Sequence, residues 1–301
     1  MQKLLVIGCG DVALRALPLL ARRYRVYALL RTADAQLRED LRLLGVTPLA
    51  GDLDRPASLR RLAGLADAVL HCAPPANQGL RDGRTRRLIA ALRRGASLPR
   101  RLVYISTSGV YGDCAGAEVR ETRRVQPATA RARRRVDAEA ELRRWGRVPG
   151  GPTVSILRAP GIYAAGRLPL ERIQRGDPVL RAEDDVVTNH IHADDLAACA
   201  VAALRRGRAQ RVYHASDDSS GLRMADWFDA VADAFVLPRP PRVSRAEAAQ
   251  RLPALTLSFM NESRRLDNTR LKRELGVRLA WPDARAALAV ISTQGTPSCS
   301  G

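Results

Sequence analysis

Six residues near the start of the chain constrain its fold more than any other feature. Gly8-Cys9-Gly10-Asp11-Val12-Ala13 follows the short apolar run Lys3–Ile7 and opens a stretch, Val12–Arg23, that puts Leu14, Leu17 and Leu20 on one helical stripe. In G-x-G-x-x-A the first glycine permits a tight turn. The second lets a pyrophosphate approach backbone amides at a helix N-terminus, and Ala13 is small enough for close helix–strand packing. Alone the pattern would predict only a turn; between a strand and a helix it predicts a dinucleotide cradle at Gly8, Gly10, Asp11, Val12 and Ala13.

The rest of the first half repeats the alternation. Strands are expected at Arg25–Leu30, Val46–Ala50, Ala68–Cys72, Arg101–Ser106 and Thr153–Leu157. Between them come helices at Leu37–Leu44 (closed by Gly45), from about Pro56, at Arg84–Arg94 and from Thr129 to Trp145. Strand–helix alternation of this kind predicts an α/β fold, a Rossmann-type doubly wound parallel sheet. Beyond Arg158 the rhythm weakens. Pro160–Val187 is expected as loop, followed by a helix at Asp194–Arg205, a strand at Arg211–Ala215 and helices at Met224–Phe235 and Asp267–Leu275. Ser244 and Glu247 form a capping-box pair, and Gly276 stops the last of these helices. Met224, Phe228, Val231 and Phe235 share a face and are read as core, as is Trp227. The expected division is residues 1–160, completed by parts of 189–216, as the dinucleotide-binding domain, with 161–188 and 217–301 as a smaller substrate-side lobe.

Ligands of open α/β sheets bind beyond the carboxyl ends of the strands. About twenty residues past the cradle a ribose-binding acid would be expected, but Arg31-Thr32 stands there. A guanidinium suits a 2′-phosphate, so Arg31 and Thr32 favour NADP, with NAD as the alternative. By the same rule Asp52 and Leu53 flank the adenine, and Ala73 and Pro74 line the nicotinamide-side phosphates.

Charge raises a competing idea. The chain has 50 Lys+Arg against 31 Asp+Glu, a net +19, and lysine occurs only at Lys3 and Lys272. Nucleic acid or an anionic membrane would suit such a surplus. The arginines are scattered in short runs with no basic tail or nucleic-acid motif, so they read as solvated helix faces, and nucleic acid is not expected as a partner. Five widely spaced cysteines without C-x-x-C argue against a disulfide scaffold or zinc site and for a reduced cytoplasmic compartment. Cys9, Cys72 and Cys114 are read as buried thiols. His190 and His192 share one side of a strand, but no third and fourth ligand falls at a recognisable spacing, so no metal is expected. Asp194 is expected to cap the helix that comes next. No window approaches the ~18 apolar residues of a membrane span.

Several segments together resemble a known group. The cradle, Gly51-Asp52-Leu53, Val69–Ala73, Tyr104–Gly112, Leu157–Tyr163 and Asn189–Leu196 stand in the order found in the extended or atypical short-chain dehydrogenase/reductases. These are the NAD(P)-dependent epimerase/dehydratase family, and within it the chain looks most like the YeeZ-like branch. The resemblance implies that Thr107, four residues before Tyr111, hydrogen-bonds substrate. It also implies a Y-x-x-x-K pair on the next helix, where a lysine lowers the tyrosine pKa. Aligned on Glu139, those positions are Arg131 and Arg135; a second register gives Thr129 and Arg133. Neither holds a Tyr or a Lys, and arginine does not exchange a proton near neutral pH. Arg135 remains a candidate cation for ribose or phosphate, and Tyr111 or Tyr163 a substitute acid. The leading expectation is an oxidoreductase on a small carbonyl, hydroxyl or sugar-derived substrate, monomeric or homodimeric. A catalytically silent NAD(P)H sensor is the alternative, and a nucleic-acid-binding protein the third.

Overall fold

The computed structural model describes residues 1–31, 34–219 and 221–294. Among these the chain runs β1 (Gln2–Ile7), α1 (Asp11–Ala21), β2 (Tyr24–Leu30), α2 (Ala35–Leu43), β3 (Thr47–Ala50), β4 (Ala68–His71), α3 (Gly83–Leu92), β5 (Arg101–Thr107), β6 (Glu118–Val119), α4 (Ala130–Arg147) and β7 (Thr153–Ala159). Next come β8 (Gly161–Tyr163), α5 (Leu170–Gln174), β9 (Val179–Leu180), β10 (His190–His192), α6 (Ala193–Arg206) and β11 (Arg211–His214). The remainder forms α7 (Met224–Ala234), β12 (Arg242–Val243), α8 (Arg245–Arg251), α9 (Ala254–Met260), β13 (Arg265–Leu266), α10 (Thr269–Leu275) and α11 (Ala284–Gln294).

Seven of these strands pair in parallel in the order β11-β7-β5-β4-β1-β2-β3. The doubly wound sheet predicted from the alternation is present, and its order reverses between β1 and β4, where a crevice opens at the carboxyl ends. Successive side chains feed opposite layers, as the two-residue strand period requires. Leu4 and Val6 pack with Leu17 and Leu20 of α1, Cys199 of α6 and Leu271 of α10. Leu5 and Ile7 pack on the other face with Leu88 of α3 and with Leu142 and Trp145 of α4. A third apolar cluster lies outside the sheet, where Tyr163, Ile173 and Val179 meet Trp227, Phe228 and Val231 of α7 and Leu288 and Ile291 of α11.

Local rules account for most element ends. Both halves of the Ser244–Glu247 capping box form at α8, and Gly276 closes α10 with φ +59°. Several details differ from the sequence expectations. The helix expected from Pro56 is a run of 3-10 turns, Pro56–Leu62, held in part by the Ser58 hydroxyl on Arg55 O at 2.7 Å. Asp194 does not cap α6: His192 does, its Nδ1 accepting from the Asp194 N–H at 3.2 Å, while the Asp194 carboxylate takes Arg15 of α1 at 2.6 Å. The stretch Pro160–Val187 also holds β8, α5 and β9, and α9 and α11 were not anticipated.

A buried polar chain ties these layers together. Arg158 of β7 donates from Nη2 to Glu139 Oε2 at 2.6 Å and from Nε to Oε1 at 3.1 Å; the Ser106 hydroxyl donates to Oε1 at 2.6 Å. Arg158 Nη1 donates to the Tyr111 hydroxyl at 2.7 Å, and that oxygen lies 2.6 Å from His214 Nε2. His214 Nδ1 sits 2.9 Å from the carbonyl of Asp267, which only accepts, so Nδ1 carries the proton and Tyr111 donates to Nε2. The His214 imidazole is held neutral, its pKa pushed down to about 3 by burial, and His71 and His190 are depressed to about 3 for the same reason.

Two outcomes are expected from this core. Glu139→Ala leaves Arg158 buried without its counter-charge and lowers stability in denaturant melts by ~3–5 kcal/mol, whereas Glu139→Leu combined with Arg158→Met recovers much of the loss. Histidines whose folded pKa lies below their unfolded value of 6.5 bind more protons when unfolded, so their contribution is complete above pH 6.5 and is lost as pH falls toward 3. Chemical denaturation between pH 7 and pH 4 should show that decline, lessened in His71→Asn.

Candidate active site

The crevice at the strand ends begins with the two glycines. Gly8 has φ +88°, and a methyl group placed on it would lie 2.6 Å from the backbone nitrogen of Ala73 and 2.7 Å from its Cα. The chain after β4 is pressed against it because the Cys72 and Ala73 N–H groups both donate to Ile7 O, at 2.8 and 2.9 Å. Gly10 differs: it caps α1 with no side-chain hydrogen bond, and a methyl there would meet nothing within 4 Å. The first-turn amides of α1 therefore face open space, with the positive end of the helix dipole behind them.

From this point a cleft of about 850 Å³ runs past Cys72, Ala73 and Pro74, across Ile105–Gly109 at the end of β5, to a wall formed by Tyr163, Trp227 and Phe228. Gly8, Gly10, Asp11, Val12, Ala13, Ala73, Pro74, Thr107, Arg131 and Arg135 are thus brought to one cavity. Trp227 and Phe228 serve both as core and as its apolar wall. Thr107 lines this cleft, its Oγ1 accepting from the Gly109 N–H at 3.2 Å. The Asp11 carboxylate is held by Arg15 at 2.6 Å and by Arg167, which also lines the cleft, at 3.3 Å.

The helix after this loop brings two arginines. Arg135 Nη1 donates to the Tyr104 hydroxyl at 2.9 Å and to Ile105 O at 2.8 Å, fixing the guanidinium in the cleft lining. Burial pushes the Tyr104 hydroxyl up to about 12, against the opposing pull of Arg135. Arg131 lies with its guanidinium 4.5 Å from the Phe259 ring centroid. Burial, and then the charge of Arg135, lower its pKa. The second register does not reach the cavity: Thr129 caps α4 through Ala132 N, and exposed Arg133 turns to Pro127 O.

Other expected residues stand elsewhere. Tyr111 is absent from the cleft wall; its hydroxyl is committed to Arg158 and His214, and burial pushes it up to about 12, which removes it as the substitute acid. Tyr163 does line the cleft, but its hydroxyl is buried without a hydrogen-bond partner among the described residues, and burial raises its pKa. Arg31 is exposed just past β2 and makes no ion pair among the described residues. Thr32 and Cys299 lie outside the described residues. The Asp52 N–H donates to the Ser58 hydroxyl at 2.9 Å, while Leu53 is buried beside Leu59, its carbonyl taken by Arg87. Neither lines the cleft. Of the thiols read as buried, Cys114 is buried, whereas Cys9 and Cys72 are half-buried; desolvation still pushes both of the latter up to about 12, which disfavours thiolate chemistry.

Four charged residues of the cleft, Arg167, Arg172, Glu262 and Arg264, stand outside the sequence-based expectations. Glu262 and Arg264, between α9 and β13, enter the cleft beside Thr107, with Arg264 Nη2 donating to Glu262 Oε2 at 2.5 Å. No motif marks them; only the folded chain brings them to the site.

Comparison with known proteins decides the class. The NAD(P)H-binding family matches residues 8–206, which include the cradle, β5 and α4. The chain belongs to this family. Among solved structures, the NAD(P)H-binding chain superimposes on a functionally unknown conserved protein from Silicibacter pomeroyi DSS with TM-score 0.77 at 29% identity, covering 98% of this chain and 99% of the other. It superimposes on DesIV, a dTDP-glucose 4,6-dehydratase from Streptomyces venezuelae solved with NAD bound, with TM-score 0.76 at 21% identity, covering 97% and 96%. A nucleoside-diphosphate-sugar epimerase from Pseudomonas aeruginosa gives TM-score 0.76 at 19% identity over 98% and 97%. No curated protein matches the sequence.

The geometry fits a nicotinamide dinucleotide. The open space at Gly10 is where the pyrophosphate of such a ligand meets helix amides, and the cleft continues far enough to take the rest. The two glycines are separable by mutation. Gly10→Ala should leave the melting temperature within about 2 °C of the parent yet weaken dinucleotide binding by ~10-fold or more in calorimetric titration, because the methyl occupies phosphate space alone. Gly8→Ala should lower the melting temperature as well, through its clash with Ala73 and its left-handed backbone.

Proposed function

We propose that the protein is an NADP-dependent oxidoreductase acting on a small carbonyl, hydroxyl or sugar-derived substrate. The observation that carries this reading is the continuity of the cleft, which joins a helix N-terminus suited to pyrophosphate with the Thr107 edge and an apolar wall of Trp227 and Phe228. A cavity that only sensed a dinucleotide would need no second compartment beyond the Thr107 edge. Residues 1–160 with parts of 189–216 would carry the cofactor, and 161–188 with 217–301 the substrate side.

In this reading the amides of Val12 and Ala13 bind the pyrophosphate. Arg31 pairs with the 2′-phosphate, since its guanidinium, with no ion pair among the described residues, is free to do so. A nicotinamide bound in the cleft supplies or accepts a hydride. Thr107 orients the substrate oxygen. Arg135 holds the cleft lining rigid through Tyr104 and Ile105, and its charge adds to the positive potential of the site. The feature favouring a silent sensor is the pair Arg131 and Arg135 at the positions where the resemblance implies Tyr and Lys.

Calorimetry should give tighter binding of NADPH than of NADH. Arg31→Ala should weaken NADPH ~10-fold or more and leave NADH unchanged. Equal affinities, or no effect of the substitution, would remove NADP from the reading. NADPH oxidation with benzaldehyde, butanone or glyceraldehyde, reduced in Thr107→Val, supports the oxidoreductase; binding without turnover across these carbonyls favours the sensor.

A further inference from the structure

We propose that Glu262 is the proton donor and acceptor of this site, in the role left open by the missing tyrosine; the inference rests on the oxidoreductase reading. The placement is direct. The point from which a side chain at Gly109 would grow lies 3.7 Å from Glu262 Oε2 and 3.6 Å from Thr107 Oγ1. The carboxyl and the hydroxyl therefore border the same pocket, and Gly109 leaves the space between them clear. A substrate oxygen that accepts from Thr107 comes to rest beside the Glu262 carboxyl.

The segment that carries Glu262 is fixed from several sides. Ser263 N donates to Asp113 Oδ1 at 2.8 Å, the Cys114 and Gly116 amides both donate to Ser263 O at 3.0 Å, and the Ser263 hydroxyl accepts from Val187 N at 3.0 Å. Arg264 Nη1 donates to Gly112 O at 2.6 Å, and Asn189 Nδ2 to Arg264 O at 2.9 Å. These bonds lock 262–264 onto the loop after Thr107, which is the preorganisation an acid–base group needs. Among the described residues the cleft is lined by one other acid, Asp11, which opens α1 and is shared between Arg15 and Arg167, whereas Glu262 stands by Thr107 with one ion-pair partner, Arg264.

The charges around Glu262 suit both protonation states. Arg264 on its own segment and Arg131 on α4 face it, Asp113 is the nearby acid, and Thr107 is neutral. Burial raises its carboxyl above the usual range, while Arg264 and Arg131 pull the other way. The proton is thus retained to higher pH, and the carboxylate left by its transfer is met by two guanidiniums. In the reducing direction the Oε–H bond breaks and an O–H bond forms on the substrate oxygen, as a reduced nicotinamide delivers hydride to the carbonyl carbon and is oxidised. The carboxylate regains its proton from water. In the oxidising direction the same oxygen accepts the alcohol proton. Arg131, which cannot serve as acid, becomes a positioning residue that stabilises the carboxylate.

The test combines infrared titration with kinetics on Glu262→Gln, Glu262→Asp and the parent. Difference spectra of the parent minus Glu262→Gln should show a protonated carboxyl band that disappears above the pH at which exposed glutamates ionise; absence of the band even at pH 5 would overturn the proposal. NADPH affinity should stay within about twofold in both variants. Carbonyl reduction should fall ~10²–10⁴-fold in Glu262→Gln, lose the decline with rising pH that the parent shows, and recover in part in Glu262→Asp. A Glu262→Gln protein that folds, binds NADPH and keeps the parent rate and pH profile would contradict the proposal. If the parent binds NADPH but reduces none of the three carbonyls, the oxidoreductase reading fails by itself, and the infrared titration still decides whether Glu262 holds a proton in the cleft.

Discussion

The contact on which the rest of the site depends is the buried pair between Arg158 and Glu139. It joins β7 to α4, and through Ser106 and Tyr111 it extends to the end of β5 and the loop beyond. Two charges this deeply buried are tolerated because every part of the pair is satisfied: the guanidinium by carboxylate and phenol, the carboxylate by guanidinium and hydroxyl. Such a network stabilises one arrangement over all others, since any slip of α4 along the sheet leaves a charge unpaired. That fixed register carries Arg131 and Arg135 to the cleft.

The same network explains why the phenol in Val110-Tyr111-Gly112 is not available to substrate. Tyr111 is a structural donor, held between Arg158 and His214. On the cofactor side the governing constraint is steric. Ala73 backbone lies so close to Gly8 that only hydrogen fits, and this proximity aligns β1 and β4 where the sheet reverses direction. The glycine turn after β1 and the Thr107 end of β5 are therefore set by separate devices, one a missing side chain and the other a buried ion pair.

Much of this was legible in the sequence. The G-x-G-x-x-A spacing and the apolar alternation are local signals. They place the sheet and α1 because parallel strands impose a fixed order on the connections between them, and they put Gly8–Ala13 and Thr107 at strand ends that open on one cavity. The abundance of arginine was legible only as composition; in the fold many arginines pair with acids, as where Asp54 holds Arg84 at 2.5 Å and Arg87 at 2.6 Å, while the net charge stays +19. The unread part is tertiary. Nothing in Asp194 shows that His192 takes the capping role, and nothing near Glu262 resembles a catalytic motif. Its position arises from hydrogen bonds between 263–264 and 112–116, some 150 residues apart in sequence.

A crystal structure with NADPH bound tests the account at its centre. It should place the pyrophosphate against the amides of Val12 and Ala13, the 2′-phosphate at Arg31, and the nicotinamide beside Thr107 with the Glu262 carboxyl across from it. A dinucleotide bound away from the α1 N-terminus, or a nicotinamide separated from Thr107 and Glu262 by the Arg131 side chain, would contradict it.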